Sequence, residues 1–147
     1  MPNRPASIHD IVNKAAVVMP SSAIRTAFQE VLHPGVELLT IDSKYWCLPV
    51  NVWDQVLQHF GPDVNKYRPE RYDCDDFAIC FKGHCSHEFE INSCAWVLDF
   101  SGKHSYNAIV VAVPGGQPEV HYLEPQADRW VRSGQTHYPL TRGLVIL

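Results

Sequence analysis

The sequence has no long apolar stretch. Its longest runs, such as Ala108 to Pro114, are far too short to span a bilayer. Nor does it have a clustered basic face: the 12 lysines and arginines are scattered and the net charge is −4 with histidine neutral. That distribution argues against nucleic acid as a partner, because phosphate binding needs clustered cations. The opening Met-Pro-Asn-Arg-Pro has no charged leader followed by a greasy stretch, so no secretory signal is read there. Five cysteines are an odd number and their spacing does not suggest a disulfide framework. Free thiols in a reducing cytoplasm are therefore expected, with no membrane partner. No repeat, low-complexity tract or linker breaks the chain.

What is present is an ordinary globular profile, 46% apolar and 19% charged over 147 residues. One domain over residues 1–147 is expected, with 1–34 as its helical N-terminal part. Ser7 and Asp10 resemble a capping box ahead of Ile11, Val12, Ala15, Ala16 and Met19. Ser22 is placed to cap a second helix carrying Ile24, Phe28 and Leu32, which Pro34-Gly35 stops. Val36 to Ile41 reads as a strand or buried connector. Asn51 to Phe60 reads as a third helix, with Val52, Trp53, Val56, Leu57 and Phe60 on one stripe and Gly61-Pro62 ending it.

The period then changes. Ser93 to Phe100, Ser105 to Val113, Glu119 to Glu124, Trp130 to Arg132 and Gly143 to Leu147 read as strands, with Ser101-Gly102-Lys103 and Pro114-Gly115-Gly116-Gln117 as turns. The one helix between the halves starts near Cys74 and is expected to end about Gly83. Helices first and an antiparallel meander second make an α+β domain, N-terminal helices packed on a C-terminal antiparallel sheet.

The sharpest chemistry lies in Tyr72-Asp73-Cys74-Asp75-Asp76-Phe77-Ala78 together with His104-Ser105-Tyr106-Asn107. A thiol reacts as thiolate, and a helix N-terminus offers partial positive charge and free N–H groups that lower its pKa. With Asp73 as N-cap, Cys74 falls in the first turn. His104 opens a strand just after a tight turn, where an imidazole is held rigidly. His84 and His87 lie ten or more positions along the Cys74 helix, about 15 Å away by helical rise, and cannot reach it. A third residue should fix the imidazole, and two carboxylates compete. Asp99 lies opposite His104 if Ser101-Gly102 centres a tight hairpin. Glu124 shares the His104 face only if the next pairing has an even register sum, which a two-residue Gly-Gly turn would not give.

These segments, with Tyr122-Leu123-Glu124-Pro125, resemble the papain-like peptidase domain of the Marasmius oreades agglutinin type. Related signatures occur in bacterial transglutaminase-like cysteine peptidases. The resemblance covers about residues 35 to 132. It implies a papain-like or transglutaminase-like fold, with Cys74 as nucleophile, His104 as general base and Glu124 as the residue that orients it. It also implies a polypeptide substrate or partner protein and a hydrolase of peptide or isopeptide bonds. Transamidation by the same residues, or a binding or inhibitory module without chemistry, are the alternatives. The family's fungal member is calcium-dependent and carries a separate lectin domain with no counterpart here, so carbohydrate binding is not carried over. Calcium on Asp75 and Asp76 would offset two negative charges that otherwise raise the Cys74 pKa. An oxyanion donor is expected from the Cys74 N–H, or from Trp46, Asn65 or Tyr67. Cys80, His84, Cys85, His87 and Cys94 form a denser cluster, but their spacing fits no common zinc module. Trp46, Trp53, Trp96 and Trp130 read as core or groove-wall aromatics.

Overall fold

The structure, a computed structural model, describes residues 5–60 and 66–147. Helix α1, Ile8–Ala15, starts at the expected box: the Asp10 N–H donates to the Ser7 hydroxyl at 3.2 Å, and the Ser7 N–H donates to the Asp10 carboxylate at 3.1 Å. The chain then turns extended at Ala16, so Met19 leaves the helical stripe for strand β1, Val17–Pro20. Helix α2, Ser21–Gln29, begins before Ser22 and is capped by no side chain, because Pro20 occupies the N-cap. Strand β2 is Val36–Leu39 and β3 is Lys44–Cys47, which pairs antiparallel with β1. This two-stranded ribbon was not expected, since four-residue strands carry too little alternation to be read. Helix α3, Val50–Phe60, buries Val52, Trp53, Val56 and Leu57. Its expected stop at Gly61-Pro62 lies outside the described residues.

Helix α4, Cys74–Phe89, begins at the expected residue and runs well beyond Gly83. A glycine inside a helix costs only about 1 kcal/mol against alanine. Phe81, Cys85 and Phe89 recur at four-residue spacing and are buried, so packing carries the helix through. It stops at Glu90, in the left-handed region at φ 55°, with the Ile91 N–H donating back to the Cys85 carbonyl.

Strands β4 (Cys94–Asp99), β5 (His104–Val111), β6 (Glu119–Glu124), β7 (Arg129–Val131) and β8 (Gly143–Ile146) join β2 in a six-stranded sheet ordered β2-β8-β4-β5-β6-β7. The fold is α+β, but its sheet is mixed. Strand β2 comes from the N-terminal half and lies parallel to β8, while the other pairs are antiparallel. Both faces are covered. One carries Ala95, Val97, Tyr106, Ala108, Val110 and Val145 against Ile24 and Phe28 of α2. The other carries Cys94, Ile109, Val111 and Leu123 against Val12, Trp53, Phe81 and Cys85 from α1, α3 and α4. Strand β5 is therefore buried along nearly its whole length and reads as an apolar run.

Candidate functional site

The site is built where the start of α4 meets the β4–β5 hairpin. Inside the first turn, the Asp73 N–H donates to the Asp76 carboxylate at 3.1 Å, and the Glu70 N–H donates to Asp73 at 3.1 Å. These bonds fix the entry of the chain and put Cys74 at the first helical position. Asn107, fully buried on β5, donates from its amide nitrogen to the carbonyls of Ala78 and Ala95 at 2.9 and 3.1 Å, tying α4 to the sheet.

Cys74 is half-buried and its thiol accepts a hydrogen bond from the Ser105 N–H. Burial pushes the thiol pKa up, only partly offset by that bond, and the charges of Asp73 and Asp75 add to the rise. Burial and the two carboxylates thus oppose thiolate formation at the start of the helix. Asp75 is itself pushed up by its hydrogen bond to Asp73, while Asp73 is held down by the same bond.

The hairpin sets Asp99 directly opposite His104, as a turn centred on Ser101-Gly102 requires. Yet the Asp99 carboxylate accepts from the Ser101 hydroxyl (2.6 Å), the Gly102 N–H (2.9 Å), the Leu140 N–H (3.0 Å) and the Tyr106 hydroxyl (3.2 Å). The imidazole instead meets Glu124: His104 Nε2 lies 2.6 Å from Glu124 Oε2, and the carboxylate is almost buried. The register explains the choice. Asn107 pairs with Leu123, so the sum is even and Glu124 falls on the His104 face. The long β5–β6 connection avoids the two-residue turn that would have flipped it. With Nε2 bound to Glu124, Nδ1 is the ring nitrogen left for the cleft.

Cys74, Asp75, Trp96, Leu98, Asp99, Phe100, Lys103, His104 and Ser105 line one open cleft of about 450 Å³. Its apolar wall is fixed in place: the Trp96 indole N–H donates to the Ser105 hydroxyl, which donates to the Val97 carbonyl, both at 2.8 Å. Trp96 is thus a groove wall, whereas Trp53 is core, and Trp130 reaches Asp54 through its indole N–H at 2.9 Å. Trp46 and Tyr67 are exposed and do not line the cleft, and Asn65 lies outside the described residues.

Calcium on Asp75 and Asp76 was expected, and the donor set at the helix start can be compared with what that ion takes. Among the described residues, the one group of three or more His, Cys, Asp or Glu side chains with ligand atoms within 4.8 Å of one another is Asp73, Cys74 and Asp75. Two carboxylates and a soft sulfur do not make a calcium site, which takes six to eight oxygens. Nor do Cys80, His84, Cys85, His87 and Cys94 form a zinc site: Cys80 is exposed, and Cys85 and Cys94 are buried against each other in the core. His84 stacks on His59 at the far end of α4. Two residues escaped the sequence reading: Lys103, hidden in a turn, and Tyr138, in a stretch with no periodicity.

No family model matches the chain, and no curated protein does. Solved structures do share its fold. The complex of PSL1a with E64 aligns with a TM-score of 0.68 at 20% identity, over 88% of this chain and 50% of that one. Polyporus squamosus lectin bound to the human-type influenza-binding epitope Neu5Acα2-6Galβ1-4GlcNAc aligns with a TM-score of 0.66 at 21% identity, over 88% of this chain and 49% of that one. The chain thus spans about half the length of these structures, and identity this low shows the fold alone. One neighbour is named as a lectin and neither as a peptidase. The expected papain-like or transglutaminase-like peptidase family, its cysteine-dependent hydrolase activity and its polypeptide substrate are corrected accordingly. What stands is an α+β chain sharing its fold with PSL1a and the Polyporus squamosus lectin.

Proposed function

We propose that this chain is a binding module whose ligand sits in the cleft between the start of α4 and the β4–β5 hairpin. One observation carries the reading: a half-buried thiol, an imidazole bound to a buried carboxylate, and a fixed aromatic wall converge on a single open cleft. Binding clefts are largely apolar with a few placed polar groups, and this one has that division. Trp96, Leu98 and Phe100 offer an apolar flank. Lys103 and the N–H groups at the start of α4 offer positive charge and donors, and His104 Nδ1 offers an acceptor. Asp75 opposes them, whereas the Asp99 carboxylate, which also lines the cleft, is already met by four donors.

The ligand class this favours is a small organic acid with an apolar flank. Both molecules named with the neighbours, E64 and the sialylated trisaccharide, bear a carboxylate, and they serve as the two probes. Carbohydrate binding, set aside on the sequence, thereby returns as one arm of the test. Five free cysteines, three of them buried, suit a reducing compartment, so cytoplasmic residence belongs with this reading. No described helix is long and apolar enough to cross a membrane.

The test measures binding of each probe by calorimetry with wild type, Trp96→Ala and Lys103→Ala. Either probe should bind, and Trp96→Ala should weaken it about tenfold or more, as loss of an aromatic anchor does. E64 is an epoxide, which sharpens its arm. If it seats in the cleft, the Cys74 sulfur can open the ring: a C–S bond forms, a C–O bond breaks and the oxygen takes a proton. Mass spectrometry should then find one adduct, on Cys74. Absence of binding by both probes would overturn the reading. So would adducts that follow exposure, with Cys80 modified first.

A further inference from the structure

The residue that holds His104 is itself held. Glu124 Oε2 accepts from His104 Nε2 and also from the Tyr138 hydroxyl at 3.0 Å, while the Gln126 N–H approaches Oε1 at 3.3 Å. Two donors on one carboxylate oxygen fix its orientation. Tyr138 is buried at 5% exposure, and its ring lies 5.7 Å from the His104 ring. Burial and the Glu124 charge push the phenol pKa up, so the hydroxyl keeps its proton and remains a donor.

Tyr138 lies outside the sheet and closes a short turn, its N–H donating to the Gln135 carbonyl at 2.9 Å, so something must fix that turn against the site. Two bonds cross from this segment to the hairpin turn. The Leu140 N–H donates to Asp99 at 3.0 Å, and the Thr141 N–H donates to the Ser101 hydroxyl at 3.0 Å. Leu140 lies at φ 41°, an unfavourable conformation for a branched side chain that these bonds must hold. Asp99, which the hairpin sets opposite His104, thus acts on the opposite end of the same assembly. Tyr106 closes the loop. It donates to Asp99 and packs its ring against both His104 and Tyr138.

We infer that Tyr138 is a positioning residue for the Cys74 cleft: it fixes Glu124, which fixes the His104 ring, and Asp99 anchors the strap that carries it. The inference rests on the proposed binding cleft. It adds that the cleft's imidazole is held by a chain of contacts running through residues 138–141, and that loosening the strap changes the environment of the thiol.

The test needs a readout that a merely structural residue would not move. Iodoacetamide is small enough to report on the Cys74 thiol without ligand recognition, and its rate follows thiolate supply. The alkylation rate of Cys74 is measured by mass spectrometry in wild type, Tyr138→Phe, Glu124→Gln and the double variant. Tyr138→Phe is expected to slow alkylation about fivefold to tenfold where Glu124 is intact and by less than about twofold in the Glu124→Gln background, because the two act in series. Asp99→Asn, which touches neither Glu124 nor His104, should reproduce the slowing. In nitrogen-15 spectra, wild-type His104 should show a single Nε2–H tautomer, and Tyr138→Phe should show a mixture. Equal slowing by Tyr138→Phe in both backgrounds, or an unchanged tautomer, overturns the inference. That failure is separable from failure of the cleft itself: there, the two probes do not bind wild type at all.

Discussion

Replacing Asp99 by alanine should cost more stability than any other single change at the cleft. The carboxylate is 1% exposed and gathers four donors from three parts of the chain. Two of them, the Tyr106 hydroxyl and the Leu140 N–H, belong to residues 0% and 2% exposed, so water cannot replace the lost acceptor. A stranded buried donor costs about 1–3 kcal/mol. The Ser101 hydroxyl and Gly102 N–H lie nearer solvent and cost less. The total comes to about 3–5 kcal/mol, a large share of the roughly 5–15 kcal/mol that holds a typical domain together. Equilibrium urea unfolding measures it, as a fall in midpoint at unchanged slope. Asp99→Asn keeps one acceptor oxygen and should lose about half as much. A loss below about 1 kcal/mol for Asp99→Ala would mean that Asp99 does not tie the strap, through the Leu140 N–H, to the hairpin.

Asp75→Asn removes one of the negative charges that raise the Cys74 pKa, so the pH profile of Cys74 alkylation should move to lower pH; a move upward or none contradicts the electrostatics. Cys47 is pushed up to about 12 by burial, from an ordinary 9.0. The folded state thus holds this proton more tightly than the unfolded chain, so stability is intact below about pH 9 and falls as pH rises toward 12. The loss is about 4 kcal/mol at about 1.4 kcal/mol per unit, with Tyr122 adding to it in the same window. Cys47→Ala should flatten this alkaline limb in unfolding curves taken at pH 8 and pH 11, and an unchanged limb refutes the assignment. Gly143 pairs with Asp99 across the sheet, and a Cβ there would lie 2.3 Å from the Leu98 carbonyl oxygen. Gly143→Ala should therefore lower the melting temperature, by about 1–3 kcal/mol in stability; an unchanged melting temperature would show that the strands give way.

The elements that sequence made legible are those whose local signals agree with their packing. The Ser7 box, the α3 stripe and the β4–β5 hairpin fall where capping, period and turn chemistry place them. The start of α4 was legible for the same reason. Its end was not, because burial of Phe81, Cys85 and Phe89 outweighs the glycine at 83. The short β1–β3 ribbon and the parallel β2–β8 pair depend on contacts between distant segments that leave no local trace. At the site, the same limit separates Asp99 from Glu124. Hairpin geometry alone points to Asp99, but its carboxylate is taken by Leu140 and Tyr106, and the long β5–β6 connection turns Glu124 to the His104 face. Tyr138 was invisible because the short turn that it closes with Gln135 leaves no local sign that its hydroxyl meets Glu124. The resemblance that named Glu124 also brought a hydrolase, which the fold neighbours correct.

The most direct measurement is a proton–nitrogen correlation spectrum of the wild-type protein, titrated first with E64 and then, in a fresh sample, with the sialylated trisaccharide. A ligand seated in the cleft should shift the amides of Cys74, Lys103 and Ser105 and the indole of Trp96, in a saturable manner, and leave the far end of α4 around His84 unmoved. Shifts gathered anywhere else, or none with either compound at millimolar concentration, would contradict the assignment of this cleft as the ligand site.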